Sequence, residues 1–194
     1  MTRDRLRSLS RLQYRLPGPI LARLRQVEIE VARSDLPPNV RALRTHALNR
    51  SRELRGAALF CHGMGSAIGV PVAFADYEAQ DYDFVATWTL DGTQHFALVQ
   101  LKEVVPRGVN PAATIQDEIN KLTKYGDAKD LTVAIHLAQA GRFDPAALVI
   151  PKLNIGSLWV FAGITPDQSQ WAIWGNFVDV AGTPVVGRRF DYPT

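Results

Sequence analysis

A short segment near the middle of the chain constrains the fold most strongly, because two apolar runs flank a dipeptide that favours a tight turn. Residues 83–90 ("DFVATWTL") and 95–105 ("HFALVQLKEVV") are rich in β-branched and aromatic residues, which is typical of β-strands. Between them lie Asp91 and Gly92, and Asp-Gly favours the turns of antiparallel hairpins. The sequence therefore predicts a hairpin with its turn over residues 91–94.

The second strand of this hairpin carries two polar side chains where a buried strand is expected to be apolar. Gln100 and Lys102 interrupt the run, and because side chains alternate along a strand, they face the same side of the sheet. A buried lysine is costly unless it meets an anion or opens into a cleft. Antiparallel pairing brings the start of the first strand to the end of the second, so we expect Asp83 near both residues.

The patterns after the hairpin predict an α/β fold with a mixed central β-sheet flanked by helices. Asn110 and Pro111 are suited to begin a helix, and apolar residues at three- and four-residue steps extend it to about residue 125. Residues 131–138 ("LTVAIHLA") have the continuous apolar character of a strand covered on both faces. Strand, strand, helix and strand in this order indicate a mixed sheet. Two further strands are expected at residues 157–164 and 170–177.

The chain up to residue 57 has a helical pattern. Prolines at residues 17–19 and the stretch 34–40 predict two breaks. A further helix is predicted from about residue 40, with the glycine-rich residues 61–69 forming a turn that ends it. We therefore expect an Arg-rich helical N-terminal extension before the α/β domain.

Charge divides the chain in a similar way. Residues 1–55 contain 13 arginines and five acids, whereas residues 56–194 contain nine Lys or Arg and 14 acids. Such asymmetry favours an arm that meets a polyanion, although a solvated helical face explains it equally well. We place the extension at residues 1–38 and the α/β domain at residues 39–194. The candidate nucleic-acid contacts are Arg3, Arg5, Arg7, Arg11, Arg23 and Arg25.

Composition narrows the class of protein. A chain of 194 residues with 46% hydrophobic content can bury a sizeable core. Its single cysteine, Cys61, excludes an internal disulfide framework and is expected to be a packed apolar residue. No apolar run reaches the length of a membrane span, and the four histidines have no metal-ligand spacing. We expect a soluble cytoplasmic protein without a membrane partner.

The hairpin motif resembles the PD-(D/E)XK nuclease superfamily, which has the restriction-endonuclease-like fold. The matching residues are Asp83 and the Gln-x-Lys element of Gln100 and Lys102 in "VQLKE", followed by the expected helix. Gln in place of the first acid is similar to the Mrr-like branch of that superfamily. The resemblance covers roughly residues 40–140 and implies a divalent-metal-dependent endonuclease that hydrolyses phosphodiester bonds in DNA.

The resemblance also implies a role for each matching residue. Asp83, the amide oxygen of Gln100 and the main-chain carbonyl of Leu101 would bind Mg²⁺ or Mn²⁺, since hard cations prefer oxygen ligands. Lys102 would position the attacking water or stabilise charge on the phosphoryl oxygens.

An additional acidic ligand is common in the superfamily, and the sequence leaves its identity open. Glu53 is the better-placed candidate by chain order, and Glu78 is the alternative. Asp81, two residues before Asp83, is expected on the same face of the same strand and could share or take over its role. The usual proline before the acid is replaced by Tyr82.

Three alternatives accompany this interpretation. The carboxylate of Asp83 and the ammonium group of Lys102 could simply form a half-buried ion pair. The fold could lack catalysis and act as a nucleic-acid-binding module, or its arginine helices could bind an acidic protein. A homodimer would fit double-strand cleavage, because two cuts in a duplex require two active sites.

Overall fold

Helices lie on both faces of one mixed seven-stranded sheet in the computed structural model, which describes residues 1–35, 49–79, 81–178 and 185–193. The helices are α1 (Arg3–Ser10), α2 (Pro17–Ala32), α3 (Asn49–Ile68) and α4 (Ile115–Lys121). The strands are β1 (Ala73–Ala75), β2 (Phe84–Leu90), β3 (Thr93–Val104), β4 (Ala128–Leu137), β5 (Ile155–Gly163), β6 (Gln170–Trp174) and β7 (Gly187–Asp191). Among the helices of these ranges, none is long and apolar enough to cross a membrane.

The strands follow one another across the sheet in chain order, from β1 to β7. The first three pair antiparallel, β3, β4 and β5 pair parallel, and the last three pair antiparallel. Parallel neighbours need a crossover connection, and the segment with α4 provides the one between β3 and β4. The predicted mixed α/β class is therefore confirmed.

The predicted hairpin is formed by β2 and β3. Its register pairs Phe84 with Val99 and Leu90 with Thr93, leaving Asp91 and Gly92 as a two-residue turn. Both turn residues have positive φ angles, 49° and 72°, as a type I′ turn requires. β2 begins one residue after Asp83, so this carboxylate lies at the end of the pairing rather than within it.

Helix α3 continues through the glycine-rich segment, so the prediction that residues 61–69 form a turn is wrong. The helix reaches Ile68 and ends at Gly69, whose φ is +77°. A Cβ atom on Gly63 would lie 2.6 Å from the ring of Phe190 in β7, so this glycine serves close packing. The predicted first part of this helix and the boundary after residue 38 lie outside the described residues.

Two apolar cores form, the core of α3 on one face of the sheet and the core of α4 on the other. The first packs α3 and Leu21 of α2 against side chains from β1 and β7, among them Phe74 and Phe190. Because strands from both edges contact α3, the sheet curls around this helix. The second core joins Leu9 of α1 and Ile119 of α4 to the opposite face of the sheet.

Several element boundaries differ from the predictions. Helix α4 begins after Thr114, whose hydroxyl accepts a hydrogen bond from the main-chain N–H of Asp117 (3.1 Å). Asn110 instead accepts a bond from the N–H of Ala112 (3.0 Å) and closes a turn. Strand β6 ends at Trp174 rather than at residue 177. The short strands β1 and β7 were not predicted.

Helices α1 and α2 pack directly on the rest of the protein. Glu28 of α2 forms a largely buried ion pair with Arg55 of α3. The hydroxyl of Tyr192 donates to the main-chain carbonyl of Leu21 (3.2 Å). Arg15 exchanges main-chain hydrogen bonds with Phe74 in β1. Side chains of the Arg-rich N-terminal segment therefore contribute to both cores.

We expect Gly156→Ala to destabilise the pairing of β4 with β5. A Cβ atom there would lie 2.4 Å from the main-chain carbonyl oxygen of Lys129, where the register between the two strands shifts, and backbone cannot move as easily as a side chain. The free energy of unfolding in urea should fall by about 1–3 kcal/mol. Gly108→Ala is the matched control, since nothing lies within 4 Å of its Cβ position; equal effects of the two substitutions would contradict this explanation.

Candidate functional site

The carboxylate of Asp83 is the centre of a hydrogen-bonded group directly before β2, which begins at Phe84. Its Oδ2 atom accepts one bond from the side-chain Nε2 of Gln100 and another from the main-chain N–H of Leu101, both 2.6 Å long. Hydrogen bonds to an ionised acceptor are short and strong. Among the described residues, none donates to the other oxygen, Oδ1. The structure thus brings together three of the residues predicted for the site.

The main chain of β3 explains why this carboxylate is needed. The carbonyl of Val99 accepts from the N–H of Asp83 (2.9 Å), so residue 99 directs its main-chain groups toward β2. Residues two apart in a strand direct these groups to the same side, so Leu101 also points its N–H and carbonyl that way. Because β2 has no residue there to pair with them, Asp83 supplies the acceptor, and the Leu101 carbonyl faces the same gap.

A small pocket beside this gap is lined by four acidic residues. Glu53 of α3 lies there together with Asp76, Glu78 and Asp83. The pocket holds about 70 Å³, which suits an ion with a few water molecules. Asp76 is paired with Arg50 (3.0 Å). Both proposed sources of an additional ligand, Glu53 and Glu78, therefore border the pocket, and the structure does not separate them.

Asp81 occupies a different position from the one expected. The sequence interpretation placed it on the same strand as Asp83, but β2 begins only at Phe84. Asp81 lies in the preceding turn, next to the bridge between Ala79 and Tyr82, and does not line the pocket. The strand is shorter than expected because the pairing of β2 with β3 starts at Phe84, one residue after Asp83.

Lys102 points to the opposite face of the sheet from α3. Leu101 packs against the core of α3, whereas Leu98 and Val104 belong to the core of α4, and alternation places Gln100 and Lys102 with the latter pair. Lys102 is half-buried. It forms no ion pair with any residue that the structure describes, so the alternative in which Asp83 and Lys102 form an ion pair is not observed, and Asp83 contacts Gln100 and Leu101 instead. Glu53 therefore lies on one face of the sheet at this point, and Lys102 points to the other.

The predicted nucleic-acid-binding arginines fall into two groups. Arg3, Arg5, Arg7, Arg11 and Arg23 are exposed. The guanidinium of Arg25 is engaged within the protein, because it lies 3.5 Å from Glu28, donates to the main-chain carbonyl of Asp167 and stacks over Tyr192. Helix α1 carries most of the exposed group and packs through Leu9 on the same face of the sheet as Lys102.

Three tyrosines near Asp83 were missed by the sequence interpretation. Tyr82 is buried in the core of α4, and Tyr77 lies against it with ring centroids 6.3 Å apart. Burial raises the pKa of Tyr125, the Lys124 charge lowers it, and the Asp83 and Asp81 charges raise it further. Tyr125 therefore lies within electrostatic reach of the candidate site. Tyr82 carried the only sequence signal, as the residue that replaces the usual proline.

The remaining groups with metal-binding chemistry lie apart from this site. Cys61 is fully buried, and burial raises the pKa of its thiol, so it is inert as expected for a packed apolar residue. Within the described ranges, no three His, Cys, Asp or Glu side chains are arranged to hold a metal ion.

Comparisons of the chain with protein-family models, curated proteins and solved structures find no match.

We expect Asp83→Ala to lower the free energy of unfolding by about 1–3 kcal/mol, because the half-buried N–H of Leu101 loses its acceptor. Relief of repulsion is a smaller effect, since Glu53, Asp76 and Glu78 are exposed and water screens their charges. Urea denaturation measures the change. Asp81→Ala, at an exposed turn position, is the control and should change stability by less than about 0.5 kcal/mol. Similar stability of the two variants would show that the Asp83 contacts do not support the fold.

Proposed function

We propose that the protein is a divalent-metal-dependent endonuclease that hydrolyses phosphodiester bonds in DNA, with a restriction-endonuclease-like fold. One observation carries this proposal: directly before β2, Asp83 contacts both Gln100 and Leu101, and the next residue of β3 is the half-buried Lys102. These are the residues that the PD-(D/E)XK resemblance selects. The β2–β3 hairpin, the crossover helix α4 and the parallel strand β4 follow in the order that this resemblance implies.

The donor chemistry of the site fits Mg²⁺ or Mn²⁺. Asp83 offers its free Oδ1, Gln100 offers the oxygen of the amide that already contacts Asp83, and Leu101 offers its main-chain carbonyl. All three are hard oxygen donors. Only one of them is a carboxylate, so this donor set is compatible with the finding that, among the described residues, no three His, Cys, Asp or Glu side chains are arranged to hold a metal ion.

A divalent ion held by these oxygens would lower the pKa of a nearby water molecule and polarise the scissile phosphate. Lys102 points its ammonium group to the face of the sheet that carries α1 and α4. A half-buried lysine without a carboxylate partner among the described residues is suited to bind a phosphoryl oxygen and to stabilise the charge that develops on it.

Either Glu53 or Glu78 is proposed as the additional acidic group, since both line the pocket with Asp83. Such a group would hold a water molecule on the α3 side, opposite Lys102. The acidic group and Lys102 would then act from opposite faces of the sheet, near the first residue of β2.

The exposed arginines of α1 are proposed to bind backbone phosphates. They lie on a helix that packs on the same face of the sheet as Lys102, so one strand of DNA could contact both. Arg25 is left out of this interface because its guanidinium is bound to Glu28 and Asp167. Cleavage of both strands of a duplex would use two copies of the protein.

The first test is cleavage of supercoiled plasmid and labelled single-stranded DNA in Mg²⁺, Mn²⁺ or EDTA. We expect metal-dependent cleavage that falls by at least about 100-fold in both Asp83→Ala and Lys102→Ala, because each removes a group that acts on the reacting phosphate. Lys129→Ala, an exposed lysine on β4, is the matched control and should cut like the parent.

Folding of each variant is checked by circular dichroism before rates are compared, since Asp83 also supports β3. Cleavage by Lys102→Ala at the parental rate would contradict the proposed role of this lysine. Cleavage that persists in EDTA would contradict the metal requirement.

A second test changes the metal affinity rather than the reaction. Gln100→Glu places a carboxylate against Asp83, so without metal the two charges repel and the melting temperature should fall. Added Mg²⁺ should then bind roughly tenfold more tightly than in the parent, the order expected for about 1–2 kcal/mol of added attraction. Thermal denaturation across a Mg²⁺ titration measures both effects.

The matched control for this test is Gln26→Glu, an exposed position on α2. If Mg²⁺ stabilises both variants to the same extent, the ion does not bind at Gln100.

A non-catalytic nucleic-acid-binding module is the second candidate. The exposure of Arg3 and Arg7 on α1, and of Arg11 directly after it, favours it, because phosphate contacts alone give sequence-independent binding that weakens steeply with salt. DNA binding in EDTA without cleavage in any metal would support this candidate over the nuclease.

A further inference from the structure

An exposed tyrosine lies in the chain between two residues that line the acidic pocket, and the proposed chemistry does not explain it. Tyr77 follows Asp76 and precedes Glu78, both of which line the pocket, and its side chain is 46% exposed. Its only ring contact among the described residues is with Tyr82, at 6.3 Å between centroids. Much of its aromatic surface therefore faces solvent beside the site.

Cationic side chains accompany two further tyrosines, Tyr82 and Tyr125. The guanidinium of Arg5 lies 5.7 Å from the ring centroid of Tyr82, which directly precedes Asp83 in the chain. The ammonium group of Lys124 lies 5.7 Å from the ring centroid of Tyr125. Tyr82 and Tyr125 both pack in the core on the face of the sheet that carries α1 and α4. Two pairs of an aromatic ring and a cation therefore lie on that face, which is also the face to which Lys102 points.

This arrangement has the two components of a surface that binds single-stranded nucleic acid. Aromatic rings stack on exposed bases, and cations follow the phosphate backbone. Bases within a duplex are already stacked on their neighbours, so their faces cannot reach a tyrosine at a surface without unstacking. The 70 Å³ pocket is too small for a base, so a base would bind outside it, where the ring of Tyr77 is exposed.

We infer that Tyr77 stacks on an unpaired base of single-stranded DNA, with Arg5 and Lys124 binding backbone phosphates on the face of the sheet that carries α1 and α4. The preferred substrate is then single-stranded DNA or a duplex with an unpaired region. The position of the scissile phosphate beside Asp83 rests on the proposed nuclease function, whereas the binding of the unpaired strand does not.

The test measures binding in EDTA, so no cleavage is required. Fluorescence anisotropy with a labelled single-stranded oligonucleotide and with the matching duplex is compared for the parent, Tyr77→Ala and Tyr77→Phe. We expect Tyr77→Ala to weaken single-strand binding by about 5- to 150-fold, the loss typical of one stacked base. Tyr77→Phe keeps the ring and should bind within about twofold of the parent, and duplex binding should change little in either variant.

The cations provide an independent readout. Arg5→Ala and Lys124→Ala should each reduce the slope of log affinity against log salt by about 0.7, the contribution of one phosphate contact to a single strand. Val149→Ala is the control, since Val149 is 72% exposed and has no assigned role. It should leave both affinity and slope unchanged.

Three results would overturn the inference: no binding of the single strand by the parent, equal affinity of Tyr77→Ala and the parent, or equal losses on single strand and duplex. Failure of the nuclease proposal gives a different result, because single-strand binding that depends on Tyr77 would then persist in a protein that does not cut. Cleavage of duplex DNA with unchanged rates in Tyr77→Ala would instead overturn the substrate preference alone.

Discussion

The rest of the structure depends on the close packing of α3 against the concave face of the sheet. The helix contacts the sheet through small residues, such as Gly56 beside Leu101 and Gly63 beside Phe190, and through Phe60, whose ring packs against those of Phe84 and Phe161. At the glycines, helix and strands approach closely, and dispersion contacts accumulate over the whole interface. The sheet has to curl so that strands from both edges reach one helix. That curvature brings the start of β2 and Leu101 of β3 beside Glu53.

Stability and the proposed chemistry meet at Asp83. Beyond the first residue of β2, the main chain of β3 has no pairing partner, and a half-buried N–H without an acceptor is costly. Asp83 provides the acceptor with one oxygen atom, and its other oxygen is the one proposed to bind a metal ion. If Asp83 has both roles, a substitution there would affect both, which is a common compromise at functional sites.

Local signals carried the predictions that succeeded, and distant contacts decided those that failed. The hairpin was predictable because alternation and the Asp-Gly turn act within a few residues, and it placed Asp83 beside Gln100. The end of α3 was not, because a glycine is a poor helix residue unless packing demands it, and Phe190 lies far away in sequence. Strand β7 has a single buried residue, Phe190, so its conformation depends on pairing with β6. The face of the sheet that each acidic residue approaches also follows from the curl of the sheet, which no local pattern encodes.

The bond between Tyr192 and Leu21 joins parts of the chain that are synthesised at very different times. Helix α2 can form early, because its hydrogen bonds are local, but the groups that hold it in place are supplied by α3 and by residues after β7. Contacts of such long sequence separation slow folding, since the chain must lose the entropy of closing a large loop before these contacts can form. During synthesis, α2 can contact α3 early, but it lacks the bond to Tyr192 until the residues after β7 have left the ribosome. One of the first helices to be made is therefore among the last to complete its packing.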